Sequence, residues 1–425
     1  MYRSILSFLG VCALLSAGAQ QTVHQVFVLN EGYFDMNAQT QVVPVSLGSY
    51  DPLSGTYQTV ATLTGPRFAS DVEAGNGVVY VAADDQLLKY DADSYALLGQ
   101  VQVPGIRQLA LWNDRVLLTR GELGGLPHYF EVRLASDLSL DYAITPADGL
   151  LYSAEDVEVV GDVAHLAVGN SFDWGNLVGE VARVDLTTGS YLGAIDLGPD
   201  GRNPENIMLE GSDLFVLNNT DFSKSSISRL SGGALSYTVD VTVNSSCGAS
   251  VLADGQVYYM EYALNKLARF GTATGTVTDT LAGSLAPYGM LYDPVNEVLY
   301  TTATDFVSSG ELHITGLDGT VLSTVPVGVS PGRLALDLRT ASGVAGDVGT
   351  DVRLFPNPTD DRLQVSWEAP VERGEVVVHD TAGREVLRQR VGPGDTRLML
   401  NVQDLPAGPY LLQLNERPAQ RFTKR

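Results

Sequence analysis

Three observations predict an all-β chain. Runs rich in Val, Leu, Tyr and Thr recur at intervals of roughly 40 to 50 residues between Gln25 and Leu338. Gly, Asp and Asn punctuate these runs, and no stretch carries the apolar period of an amphipathic helix. The composition then shifts at residues 340–351 to small residues without an aromatic, and a second set of alternating runs follows. The fold class predicted from these patterns is a seven-bladed β-propeller followed by a small Ig-like β-sandwich.

The repeat is clearest in the apolar run after each loop: FASDVEAG (68–75), RQLALWN (107–113), SAEDVEVV (153–160), PENIMLEG (204–211), CGASVLAD (247–254), PYGMLYDP (287–294) and PGRLALDL (331–338). Each of the first six leads into a second strand, for example VVYVAADD or DLFVLNNT, and then into two more joined by turns rich in Asp, Thr, Ser and Gly. Gly supplies the positive φ that a tight hairpin needs. The N-terminal repeat, from VFVLNEGYF, has a second, third and fourth strand but no first, whereas PGRLALDL is a first strand with nothing after it. Pairing the two closes seven blades and leaves no exposed ring edge. The predicted propeller spans residues 22–339, the linker residues 340–351 and the terminal module residues 352–425.

Residues 1–19 read as a secretory signal peptide: Arg3, an apolar stretch from Ile5 to Leu15, and Ala17-Gly18-Ala19. The apolar run is too short to span a bilayer, and no other run approaches the required length, so no transmembrane segment is expected. Cleavage leaves Cys247 as the single cysteine, which excludes an intramolecular disulfide and predicts a small buried side chain.

The chain carries 26 Lys+Arg against 50 Asp+Glu, a net charge of −24, and so is not expected to bind nucleic acid. Residues 341–425 hold 11 of the basic and 12 of the acidic residues, and Arg3 one more basic residue, so residues 20–340 hold 14 against 38. The propeller carries the whole imbalance, which favours a neutral or cationic ligand.

In the terminal module, Pro356-Asn357-Pro358-Thr359 is followed by Asp380 with Gly383-Arg384, Leu405–Gly408 with Tyr410, and a basic end, Arg421–Arg425, that includes Lys424. From the residues alone, the first motif is a turn and the last a cationic tail. In this order they closely resemble the type A C-terminal sorting domain of type IX secretion system substrates. The resemblance implies the type IX secretion machinery as a partner, export across the outer membrane, removal of the module, and a mature protein that is attached to the cell surface or released. The ring resembles seven-bladed surface propellers of the YVTN-repeat type. Its opening VFVLNEGYF is similar to the NEG-containing first blade of a bacterial surface subgroup that includes cobalamin-capturing propellers. That resemblance speaks to fold, and no ligand residues are carried over from it.

In a four-stranded blade, the loops joining second to third strands and those joining one blade to the next emerge on one face. The first kind supplies Tyr33, Phe34 and Asp35, then Phe172, Asp173 and Trp174, then Asp221 and Phe222, then Asp305 and Phe306. The second adds Phe68, Arg107, Tyr152, Arg202 and Tyr288. Aromatic platforms among Asp, Asn and Arg suit stacking on a sugar or an extended ring system while its periphery is hydrogen-bonded. The same rings equally serve as plugs that pack each loop onto its blade. The first strands also bring acidic or amide residues towards the axis, and Asp71, Glu155, Asp156, Glu205 and Asn206 form a candidate calcium set beside the simpler reading of a solvated axial mouth. The five histidines show no metal-binding spacing, and the chain has no phosphate loop, nucleophile elbow or CxxC.

The expected function is therefore non-enzymatic: an exported cell-surface or secreted propeller that captures a corrinoid, a glycan or a protein partner on this loop face. The alternatives are a calcium-dependent lactonase-like hydrolase at the axis and a structural or adhesion propeller.

Overall fold

The computed structural model describes residues 21–220, 224–241, 249–281, 284, 286–340, 352–367, 371, 374–381, 383–415, 417 and 419–425. The signal segment, Asp221, Phe222, Cys247 and residues 341–351 of the predicted linker lie outside the described residues, whereas Thr340 ends a ring strand. Seven four-stranded antiparallel sheets form the blades of a propeller. Blade 1 is built from both ends of the ring: Pro331–Thr340 pairs with Gln21–Asn30, which pairs with Val45–Asp51 and then Thr56–Leu63. Blades 2 to 7 each consist of four consecutive strands, whose innermost members are Asp71–Gly75, Ile106–Trp112, Ala154–Val160, Pro204–Glu210, Ser250–Ala253 and Met290–Asp293.

The strand Gln21–Asn30 shows why the apolar runs are continuous rather than alternating. Val26, Phe27, Val28 and Leu29 are all fully buried. Phe27 and Leu29 pack with Val79, Val81 and Leu88 of blade 2, whereas Val26 and Val28 pack with Val298, Tyr300 and Leu312 of blade 7. A strand between two neighbouring blades buries both faces, so the period-2 signal vanishes from its sequence. The same logic fuses blades 5 and 6 through Phe215, Leu217, Tyr259 and Phe270.

The terminal module is a two-sheet sandwich. Val352–Phe355, Arg362–Trp367 and Arg397–Asn401 form one sheet; Glu385–Val391, Gly374–His379, Gly408–Leu414 and Gln420–Lys424 form the other. Its core gathers Val365, Trp367, Val378, Tyr410, Leu412 and Phe422, with the rings of Tyr410 and Phe422 stacked 5.5 Å apart. The Pro-Asn-Pro-Thr turn fastens the last strand to the sandwich. Asn357 Nδ2 donates to Arg421 O (3.1 Å), Thr423 N donates to Asn357 Oδ1 (2.9 Å), and Arg425 N donates to Thr359 O (2.9 Å). In the second motif, Arg384 closes its own hairpin by donating Nε to Asp380 Oδ2 (2.7 Å).

Candidate functional site

The loops between second and third strands and those between blades rise on one face around a cavity of about 580 Å³ at the mouth of the axis. Its walls are Phe68, Phe172, Trp174 and Tyr288, and its floor is polar, with Arg107, Glu155, Glu205 and Asn206 from the start of three consecutive inner strands. The rings are held by identifiable contacts. Phe68 meets Phe34 edge-on at 6.2 Å, Tyr288 meets Phe306 edge-on at 4.9 Å, and the Arg107 guanidinium lies 5.4 Å from the centroid of Phe172. Phe172 packs over Gly121, where a Cβ would meet the ring at 2.5 Å. Trp174 stands at the rim and is 68% exposed.

The floor is a network of compensated charge. Arg107 donates both Nε (2.9 Å) and Nη2 (2.8 Å) to Glu155 Oε2, and that carboxylate raises the guanidinium's affinity for its proton. Tyr288 Oη donates to Glu31 Oε1 at 2.7 Å. Burial pushes the Glu31 carboxyl up and pushes Glu205 up to about 7, opposed by the hydrogen bonds to Tyr288 and Asn219 respectively. Glu31 and Glu205 thus line the cavity within the field of Arg333 and Arg107, and Arg107 is itself paired with Glu155.

Glu31 can lie where it does because residue 332 is glycine: a Cβ there would meet Glu31 Oε1 at 2.3 Å. Gly332→Ala is therefore expected to displace Glu31 from Tyr288 and to destabilise the ring by about 1–3 kcal/mol. The check is a melting experiment in which Glu31→Ala, made in addition, restores part of the loss.

Of the residues singled out in the sequence, the fold brings Phe172, Trp174, Tyr288, Arg107, Glu155, Glu205 and Asn206 to the mouth, together with Phe68. Others serve their own loops. Asp35 accepts from Asn37 N (2.8 Å) and Ala38 N (2.9 Å). Asp305 accepts from Val307 N and from both N and Oγ of Ser308, which holds its carboxyl down at about 2. That turn carries Phe306 at φ 65°, so the ring reaches Tyr288 rather than the cavity. Tyr33 and Phe34 form a two-stranded flap with Thr40–Val43, and Asp173 and Arg202 are exposed outside the cavity lining.

The candidate calcium set divides. Asp71 Oδ2 accepts from Leu109 N of blade 3 (2.8 Å), Asp156 Oδ2 accepts from Ile207 N of blade 5 (2.6 Å), and Asn206 Nδ2 donates to Ser250 Oγ of blade 6 (2.7 Å). These side chains brace one blade against the next, and Glu155 is spent on Arg107. Among the described residues, no group of three or more His, Cys, Asp or Glu side chains is arranged to hold a metal ion. The donor set does not fit calcium.

Glu31, Gln108, Leu123, Met290 and Arg333 also line the mouth, and the sequence reading did not include them. The signal for two of them was present. Aligned on the inner strands, Gln108 and Arg333 occupy the register of Asp71, Asp156 and Asn206. With the Gln108 amide turned to suit its neighbours, it donates to Asp156 Oδ1 (2.9 Å) and accepts from Arg333 Nη2 (3.1 Å). Glu31 belongs to the NEG triplet and reaches the site from the connection between Gln21–Asn30 and Tyr33–Asp35.

Among solved structures, the chain is similar to hydrazine synthase of Kuenenia stuttgartiensis at 14% identity, with a TM-score of 0.50 over 64% of this chain and 90% of that one. It is also similar to the extracellular domain of the putative one-component system BT4673 from B. thetaiotaomicron (8% identity, TM-score 0.47, 94% of this chain and 57% of that one). A third match is the dihydro-heme d1 dehydrogenase NirN in complex with DHE (14% identity, TM-score 0.48, 90% of this chain and 76% of that one). At such identities only the fold is shared. No curated protein matches the chain. No helix among the described residues is long and apolar enough to cross a membrane. Residues 353–425 match the family described as the secretion system C-terminal sorting domain, so the chain ends in a module that directs export to the cell surface or beyond.

Proposed function

We propose that the chain is an exported ligand-capture protein that binds a neutral or cationic molecule in the axial mouth, without chemical turnover. The observation that carries this reading is the combination in one cavity of four aromatic walls with a polar floor whose main cation, Arg107, is internally neutralised. Such a site offers stacking area and hydrogen-bond partners, and the −24 net charge disfavours an anionic ligand. A corrinoid, a glycan or an aromatic-rich protein segment all meet that description. A YVTN-type surface propeller is the family setting in which we place it. A hydrolase needs a converging donor set or an activated nucleophile, and of the axial carboxylates Asp71 and Asp156 brace neighbouring blades while Glu155 is paired with Arg107.

The test is calorimetric titration of the full chain with corrinoids, haem, neutral oligosaccharides and aromatic amines. Changing Trp174 and Phe68 to Ala together is expected to weaken the ligand found by tenfold or more, since each ring contributes about 0.5–1.5 kcal/mol beyond area. Unchanged affinity in that double variant would place the ligand elsewhere.

A further inference from the structure

The face opposite the mouth is occupied by the chain's own terminal module. Strand Pro331–Thr340 runs from the mouth side to this opposite face, so the chain leaves the ring there and the sandwich returns against blades 6, 7 and 1. Phe355, the last residue of the module's first strand, is only 6% exposed. It lies in one apolar cluster with Tyr50, Val298, Tyr300 and Leu312 of the propeller, its ring edge-on to Tyr300 at 6.3 Å. Around it, module side chains reach turn tips that otherwise face water. Gln364 Nε2 donates to Asn296 O (2.9 Å), Arg353 Nη1 to Val295 O (3.0 Å) and Arg425 Nη2 to Ser54 O (2.7 Å) and Gly55 O (2.9 Å). Arg397 pairs with Asp254 at 3.0 Å. Three arginines of the module thus meet carbonyls and a carboxylate on the acidic ring, which is charge complementarity as well as shape.

We propose that this face is a docking surface for the sorting module, which holds it as a non-covalent latch, with Phe355 as anchor and the terminal Arg425 clamped on blade 1. The module's own core, built on Trp367, Val378 and Phe422, does not include Phe355. That ring is therefore spent on the partner surface. Two consequences follow. Cutting the connecting segment does not by itself release the module, and any receptor that reads the chain's last residue competes with the turn at Ser54 and Gly55. The mouth remains free while the latch is closed, because the two lie on opposite faces.

The experiment uses the full chain with a specific protease site inserted between residues 341 and 351. After cleavage, the module is expected to co-elute with the propeller in size-exclusion chromatography at micromolar concentration. Phe355→Ala with Arg425→Ala is expected to speed its dissociation at least tenfold. Arg397→Glu, an exposed change that leaves both cores intact, is expected to do so more weakly, and the parent's own dissociation is expected to quicken with salt. Separation of the cleaved parent chain at that concentration overturns the latch. So does an Arg397→Glu chain that keeps its folded spectrum and dissociates, with Phe355→Ala added, no faster than the parent.

Discussion

A chain ending at Ser330 is expected to lose its cooperative fold. The strand Pro331–Thr340 pairs along its length with Gln21–Asn30, from Gln21 opposite Thr340 to Asn30 opposite Pro331. Removing it exposes the backbone donors and acceptors of a strand whose Val26, Phe27, Val28 and Leu29 are fully buried. It also strips Leu334 and Ala335 from the two apolar clusters that join blade 1 to blades 7 and 2, and it takes Arg333 from the axis. Among the described residues every other blade is made of four consecutive strands, so this pairing is where the ring closes and the damage is not confined to one blade. The matched control ends at Thr340, keeping every ring strand and losing only the docked module. That control is expected to melt as a single transition with a modest drop, because what it loses against the ring is chiefly Phe355 and its surrounding hydrogen bonds, about 1.5–3 kcal/mol for the ring itself. Denaturant titration of the two truncations, followed by circular dichroism, separates the cases. Equal stability of the two chains would falsify the closure role.

The fold was legible because propellers write their period into the chain. All seven inner strands lie where the apolar runs placed them, and the split of blade 1 between the two termini followed from counting strands. Half of the mouth was legible for a related reason. Loops on one face of a regular repeat must meet, so Arg107, Phe172, Trp174 and Tyr288 converge as the loop order requires. Sequence could not tell which member of each Asp–aromatic pair faces the cavity. Asp35 and Asp305 turn back on the amides two and three residues later, a local geometry that residue type permits but does not decide. Nor could it tell bracing carboxylates from ligands. Asp71 and Asp156 have the composition of a cation site, yet their oxygens are taken by Leu109 N and Ile207 N of neighbouring blades, contacts that exist only once the ring is closed. The docked face was not legible at all, since Phe355 reads as one more strand residue before a turn.

The largest effect reachable without deleting a strand is expected from pH. Below the mouth, burial pushes the carboxyls of Asp71 and Asp156 up to about 6 and that of Glu158 up to about 7, and it also pushes Glu73 well above the usual carboxylate range. Glu205 above them also lies at about 7. In the unfolded chain these groups titrate near 4. Between about pH 4 and 7 the folded state therefore holds protons that the unfolded state has released, and stability must fall as pH rises through that window. The contribution of Asp71, Asp156, Glu158 and Glu205 is complete below the unfolded values and gone above about pH 8. Opposing the shifts are Arg333 at Asp71, Ile207 N and then Arg333 at Asp156, and the hydrogen bond from Asn219 with a smaller pull from Arg333 at Glu205. The turn carboxylates act in the other direction. Asp148, Asp213 and Asp305 are held low by hydrogen bonds to their own turns or neighbours, and those contributions are lost only as the pH drops below their unfolded values. Maximum stability is thus expected near pH 4, with the melting temperature falling by on the order of 5 °C by pH 8. Asp156→Asn keeps an acceptor for Ile207 N and removes the charge. Combined with Glu158→Gln, it is expected to flatten the profile by raising the pH 8 value while leaving the pH 4 value nearly unchanged. Calorimetric scans of parent and double variant from pH 4 to pH 8 decide the matter, and parallel profiles for the two would mean that the throat carboxyls ionise freely in the folded ring.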